Sequence, residues 1–325
     1  MDINAIRNVL PQKNFEDFDN INNQVILGAS NHIKMIGNMI ESITLDSIEK
    51  NQSIDELRNR IKTITNFFIA TRGEASQAIT NAINLMILGL DNYDSSDDIK
   101  IVGNKIIDIK NQYAVKNKEA IDKVVEYATE ALKDKNNIFI YDYSSTVEKI
   151  VSKLDKGKNI YIAESRIIDG GKPFLKASLE AGLNVHYFPD ASIMYFLGKS
   201  DVALMGAETF YPDGTGFNTT GSDIVGLVCA YFDIPLYFAT PLIKVDSRPL
   251  YGKKKNIVFN NVKNKLSANF SDDIDVSKID FVSPELLGVS PKYIKAFITE
   301  KGVIPSSAMY EVSIEYLKEI GGNKI

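Results

Sequence analysis

The chain has 325 residues, 44% of them apolar, with a formal net charge of −5, one cysteine and two histidines. That length suits two domains with a core in each, and the acidic balance repels nucleic acid and anionic membranes, so direct nucleic-acid binding is not expected. Cys229 alone allows no internal disulfide, and His32 and His186 are too few for a metal centre built on His or Cys. The longest apolar run, Leu85-Met86-Ile87-Leu88, is too short to span a bilayer, and Met1 to Asn20 lacks a signal-peptide core. The expectation is a soluble cytoplasmic protein.

The stretch from about 14 to 133 shows helical periodicity and no convincing strand. Phe15, Phe18, Ile21, Val25, Ile26, Ala29, Ile33, Ile36, Met39 and Ile40 recur at spacings of three and four, which predicts one long helix with an apolar face. Further helices are expected over 57–69, 74–90, 99–112 and 116–132, so residues 1–134 read as a helical-bundle domain. Two places break the core-and-surface pattern. Gly28-Ala29-Ser30 places three small residues where either a neighbouring helix or a ligand could approach closely. Thr71-Arg72-Gly73-Glu74 sets an arginine beside a helix start, which suits a phosphate but also suits an ordinary solvated turn.

After Asp134 the pattern becomes alternating strand and helix. Strands are expected over 138–141, 160–163, 185–188, 202–205 and 235–239. Helices are expected over 147–154 behind a Ser144-Ser145-Thr146 cap, over 171–181, from Asp190-Ala191-Ser192 onward, and over 222–231. Residues 135–325 therefore read as a doubly wound, Rossmann-like parallel sheet domain, making the chain an α/β protein. No Gly-x-Gly-x-x-Gly and no Gly-x-x-x-x-Gly-Lys follows a strand, so no cofactor is indicated.

Chemistry-bearing residues collect at the carboxyl ends of these strands: Asp142, Ser144 and Ser145, then Glu164, Ser165 and Arg166, then Asp190, Glu208 and Lys244. An open α/β sheet binds its ligand at that edge. Glu208 follows the buried run Val202-Ala203-Leu204-Met205 and precedes Pro212-Asp213-Gly214 and Asn218-Thr219-Thr220-Gly221. By position alone it could also be a solvated strand end. Cys229 lies in an apolar helix and reads as core, and Gly252-Lys253-Lys254-Lys255 reads as a solvated turn with no function.

Several stretches together resemble the family that joins the α, β and δ subunits of translation initiation factor 2B with methylthioribose-1-phosphate isomerase and ribose-1,5-bisphosphate isomerase. They are Ser144-Ser145-Thr146-Val147-Glu148, Ala163-Glu164-Ser165-Arg166 with Gly171, Asp190-Ala191-Ser192, Gly206-Ala207-Glu208, Asp213-Gly214, and Asn218 with Gly221. Gly28-Ala29-Ser30 and Thr71-Arg72 with Asn81-Ala82 look like the family's phosphate motifs, and 289–305 looks like its closing motif.

The resemblance implies a pocket for a phosphorylated sugar or a nucleoside monophosphate, and dimers formed through the sheet domain. It assigns substrate or phosphate binding to Gly28, Ala29, Ser30, Arg72, Ser144, Ser145, Arg166, Asn218 and Lys244. The isomerases pair a cysteine with an aspartate; by the resemblance the cysteine position falls on or next to Asp142, and the aspartate position is Glu208. A lysine is replaced by Thr219 and a glutamine by Gly170. These departures move the reading toward a binding, regulatory protein of the initiation-factor branch. The alternative is an aldose-ketose isomerase using Asp142 and Glu208 as an acid–base pair.

Overall fold

Amphipathic periodicity in the first third of the chain becomes helix wherever no glycine, turn or cap interrupts it. The computed structural model describes residues 2–320 apart from Gln24, Leu27, Ala75 and Asp272. It divides into two units, Met1–Glu119 with Glu315–Ile325, and Ala120–Ile314.

The first unit is helical. α1 (Ile3–Arg7) is capped by Asp2, and α2 (Phe15–Asn22) and α3 (Ala29–Glu49) are separate helices where the periodicity predicts one. Gly28 stands at the break with φ 94°, a left-handed conformation that only glycine adopts cheaply. The repeat of apolar residues survives the break because both helices bury it: Phe18, Ile21, Ile36, Met39 and Ile40 are fully buried.

α4 (Ile54–Phe68) starts on a capping box between Ser53 and Glu56 and runs into a π-turn, Ile69–Gly73, before α5 (Gln77–Met86). The helix expected over 74–90 is thus shorter, and its Ala75 lies outside the described residues. α6 (Ile99–Ala131) is one helix of 33 residues where two are expected. Tyr113-Ala114-Val115, between them, holds neither glycine nor proline, so nothing stops the backbone ladder.

The division between units falls inside α6 instead of at the change of composition after Asp134. The reason is packing: Val124, Val125, Ala128 and Leu132 join the core of the sheet. Buried Lys158 donates from Nζ to the carbonyls of Leu132, Lys133 and Lys135 at 3.2, 2.6 and 2.8 Å, holding the end of α6 on this unit.

The second unit continues as β1 (Asn137–Ile140), α7 (Ser145–Val151), β2 (Asn159–Ala163), α8 (Phe174–Glu180), β3 (Asn184–Phe188), α9 (Ile193–Leu197) and β4 (Val202–Gly206). Then come β5 (Thr209–Phe210), β6 (Gly216–Thr219), α10 (Ser222–Tyr231) and β7 (Leu236–Ala239). An excursion adds β8 (Phe259–Asn261), α11 (Lys263–Leu266) and β9 (Val282–Pro284). The chain closes with β10 (Leu286–Val289), β11 (Ala296–Thr299), β12 (Gly302–Pro305) and α12 (Met309–Glu319).

The main sheet has the order β12-β11-β7-β4-β1-β2-β3, parallel except for β12 at its edge. The five expected strands are consecutive in it as β7-β4-β1-β2-β3, with β3 at one edge. The hairpin β11-β12 and the three-stranded sheet β10-β6-β5 extend what was expected. Among the described residues no helix is long and apolar enough to cross a membrane.

Candidate active site

The chain runs outward from β1 through β2 to β3, then crosses back to place β4 on the other side of β1. The crevice at the carboxyl ends of β1 and β4 is therefore the topological switch point, where a doubly wound sheet leaves room for a ligand. Asp142 follows β1 and Glu208 follows β4.

Asp142 is only 3% exposed and has φ 60°, in the left-handed region. Its carboxylate accepts from Ser165 Oγ at 2.9 Å on Oδ1 and from Thr219 Oγ1 at 2.7 Å on Oδ2. Ser165, fully buried, also has a left-handed backbone at φ 48°, and its N–H donates to Asp190 Oδ1 at 2.9 Å. Such backbone conformations cost about 1–3 kcal/mol each for most side chains, and here the hydrogen bonds hold them in place. Burial pushes the Asp142 carboxyl above the ordinary aspartate range. The two hydroxyls and a backbone N–H oppose that shift, while the negative charge of Glu208 adds to it. Glu208 is half-buried, and its N–H donates to Phe217 O at 2.9 Å, which fixes it to β6.

Two glycines show how tightly this site is built. A Cβ on Gly170 would stand 2.0 Å from Asp142 Oδ1 and 2.9 Å from the Tyr143 nitrogen. A Cβ on Gly206 would stand 2.4 Å from both Cβ and Oγ of Ser144. The first leaves no room for a side chain at 170 beside the Asp142 carboxylate and the Tyr143 nitrogen.

The remaining expected residues of this unit divide by what they touch. Ser144 caps α7 through Oγ, 3.4 Å from the Val147 N–H, and Ser145 is exposed on the first turn. Arg166 is half-exposed; its guanidinium lies 3.7 Å from Glu164 and its N–H donates to Asp190 Oδ2 at 2.8 Å. Asn218 is buried, and its Nδ2 has no hydrogen-bond partner, an arrangement that costs about 1–3 kcal/mol unless a ligand supplies an acceptor. Lys244 donates from Nζ to Ala207 O at 2.7 Å, bracing the strand end beside Glu208. Cys229 is fully buried and its thiol is pushed up to about 12 by burial, so it is core.

In the helical unit, Gly28, Ala29 and Ser30 form the start of α3, with Gly28 at its N-cap, rather than the middle of a helix. Arg72 sits in the π-turn after α4. Its Nη2 donates to Asn22 O at 2.7 Å, and its Nε is buried without a partner.

Sequence reading missed the roles of Ser165, Thr219 and Asp190. Ser165 stood in the collected strand ends without a task, and Thr219 stood as a loss, because a threonine replaces the resemblance's lysine. The available signal was chemical: a carboxylate at the end of a buried strand calls for nearby donors, and Ser165 and Thr219 carry hydroxyls that can serve.

The fold and this geometry define a two-unit α/β protein with a carboxylate pair at the switch point of a doubly wound sheet. The profile of the initiation factor 2 subunit family matches residues 29–306, and the chain belongs to that family. It is 24% identical over 311 residues to ribose 1,5-bisphosphate isomerase of Pyrococcus furiosus, covering 94% of this chain and 93% of that relative. It is 23% identical over 304 residues to a putative translation initiation factor eIF-2B subunit 2-like protein of the same organism, covering 91% of this chain and 98% of that relative. The fold matches that of 5-methylthioribose 1-phosphate isomerase from Pyrococcus horikoshii with a TM-score of 0.71 at 18% identity, over 97% of this chain and 88% of the other. Relatives with isomerase names thus span nearly the whole chain, which favours the alternative over the binding reading.

Proposed function

We propose that the protein is an aldose-ketose isomerase of a phosphorylated sugar in which Asp142 and Glu208 are the proton-transfer pair. The observation that carries this is the pair of carboxylates at the carboxyl ends of adjacent strands β1 and β4, with Asp142 buried and its pKa raised chiefly by that burial. Two titratable groups whose surroundings differ in this way suit an acid and a base. Asp142, held toward its neutral form, gives a proton to the ring oxygen as the C1–O4 bond breaks, while Glu208, the more exposed carboxylate, takes the proton from C2. The electrons of the broken C–H bond form the C1=C2 double bond of an enol that keeps its C1 phosphate. Return of a proton to C1 and loss of one from the C2 oxygen yield the ketose, with no net change in protons. In the sheet unit, Asn218 Nδ2 is free to bind a sugar oxygen, and Ser144, Ser145, Arg166 and Lys244 are candidate phosphate ligands. In the helical unit, considered by itself, Arg72 and the small residues Gly28, Ala29 and Ser30 are candidates for a phosphate.

The test is conversion of ribose 1,5-bisphosphate, methylthioribose 1-phosphate and 5-deoxyribose 1-phosphate to their ketoses, followed by NMR. Turnover of one of them is expected, lowered on the order of 10²- to 10⁴-fold by Glu208→Gln or Asp142→Asn. One feature favours a second reading: both oxygens of Asp142 already accept hydroxyl hydrogens from within the fold. If none of the three sugars turns over but one of them, or a nucleoside monophosphate, binds, the protein is a regulatory binding protein instead.

A further inference from the structure

The excursion between β7 and β10 is fastened at two points, each beside a hydroxyl donor of Asp142. At its root, at the end of β9, Thr220 donates from its N–H to the carbonyl of Glu285 at 3.1 Å and from Oγ1 to that of Pro284. At its tip, Lys265 of α11 donates from Nζ to Asp169 Oδ2 at 2.8 Å and stands 3.4 Å from the carbonyl of Arg166. Pairing of β8 with β9, and the bond from the Val262 N–H to Phe281 O at 3.0 Å, join root to tip. All these residues belong to the second unit.

Thr220 follows Thr219, the donor to Asp142 Oδ2, and Asp169 lies in the loop that begins at Ser165, the donor to Oδ1. The arm made by β8, α11 and β9 thus grips the segments that carry both hydroxyls. The Ser165 loop turns back on itself: the N–H groups of Ile168 and Gly170 both donate to Ser165 O at 3.2 Å, and Asp169, like Ser165, has a left-handed backbone, with φ 56°. A loop with two such residues persists only where its surroundings hold it. Asp190 holds its start through the Ser165 and Arg166 N–H groups, and Lys265 holds its far end. A cavity of about 430 Å³ separates loop from arm, with Ile167 and Ile168 on one wall and Asn260 and Val262 on the other, and Lys265 bridges that gap.

We propose that Lys265 is a positioning residue: by tying the arm to Asp169 it keeps the Ser165 hydroxyl on the Asp142 carboxylate. Its effect on turnover rests on the isomerase reading given above. The other charged groups about the loop are Glu164, 3.7 Å from Arg166, and Asp190, whose oxygens take the two backbone N–H groups, while Glu208 follows β4 at the same crevice. All of them stay in place in the variants that test the link.

The Asp142 carboxyl is titrated by ¹³C NMR in wild type, Lys265→Met, Lys265→Arg and Asp169→Asn, each checked for native melting. Without the link Ser165 leaves the ionised carboxylate more often, so the midpoint should rise in both Lys265→Met and Asp169→Asn and hold near wild type in Lys265→Arg. A direct charge effect moves the first two in opposite directions, up when the ammonium is lost and down when the carboxylate is lost. That outcome overturns the proposal, and so do unmoved midpoints. The side chains of Lys265 and Asp169 are 34% and 51% exposed, so the link has the weight of a surface ion pair, and kcat for ribose 1,5-bisphosphate should fall about two- to fivefold in Lys265→Met with KM held. Lys265→Arg should restore the rate, and an active enzyme whose kcat is the same in Lys265→Met overturns the positioning role. A wild type that turns over no sugar phosphate, while both variants raise the Asp142 midpoint, defeats the isomerase reading and leaves the positioning of Asp142 standing.

Discussion

Thr219→Val keeps the side-chain shape and removes the hydroxyl that donates to Asp142 Oδ2 at 2.7 Å. A hydrogen bond to an ionised carboxylate contributes about 1.5–3 kcal/mol, so its loss disfavours the ionised form about ten- to hundredfold at a fixed pH. The Asp142 pKa, already raised by burial above its ordinary 3.8, must then rise further. The sign for stability follows from which state holds the proton. Above pH 3.8 the unfolded chain releases the Asp142 proton while the folded protein keeps it, so this contribution to stability is complete below 3.8 and is lost as pH rises through the folded value. The variant loses its share over a wider span, and its deficit in melting temperature should grow from pH 4 to pH 8, by roughly 2–4 °C per kcal/mol in a unit of this size. Thermal melts across that range and ¹³C titration of the Asp142 carboxyl measure both effects. A constant gap at every pH, with an unmoved carboxyl midpoint, would refute the account of Asp142.

Gly170→Ala should destabilise the sheet unit by about 1–3 kcal/mol, since its Cβ would meet Asp142 Oδ1 at 2.0 Å, and denaturant melts should show the loss falling when Asp142→Ala is added. Arg72→Ala should weaken ribose 1,5-bisphosphate binding about ten- to hundredfold in calorimetry while the melting temperature holds, and unchanged affinity rejects Arg72 as a phosphate ligand. Tyr195, Leu227 and Tyr231 leave an apolar surface exposed on α9 and α10, Tyr231 at 72%, which supports the expected homodimer. Sedimentation at micromolar concentration should give a dimer in wild type and a monomer in a Leu227→Glu, Tyr231→Lys double variant, and a wild-type monomer rejects the dimer.

The sequence alone was enough for the parallel sheet, because Ile138 to Tyr141, Ile160 to Ala163 and Val202 to Met205 are apolar runs of strand length separated by helical periods, and that local pattern survives any tertiary context. It also placed Asp142 and Glu208 at strand ends, since that depends only on counting along the chain. Breaks in the helices were less legible: periodicity reports which face is buried, and two helices sharing a core keep the same phase through Gly28. Tertiary structure alone decided that β1 and β4 are neighbours, which brings the ends that carry Asp142 and Glu208 to one crevice. It also decided that Thr219 and Ser165, 54 residues apart in number, donate to the same carboxylate, and that Gly170 must lack a side chain to leave room for it. Lys255 is the plainest case. Nothing in a run of three lysines distinguishes the last, yet Lys255 is half-buried where Lys253 and Lys254 are exposed, and its N–H donates to the hydroxyl of Tyr211 at 2.7 Å. Burial and charge coupling depend on distances through space, and a sequence states distances only along the chain.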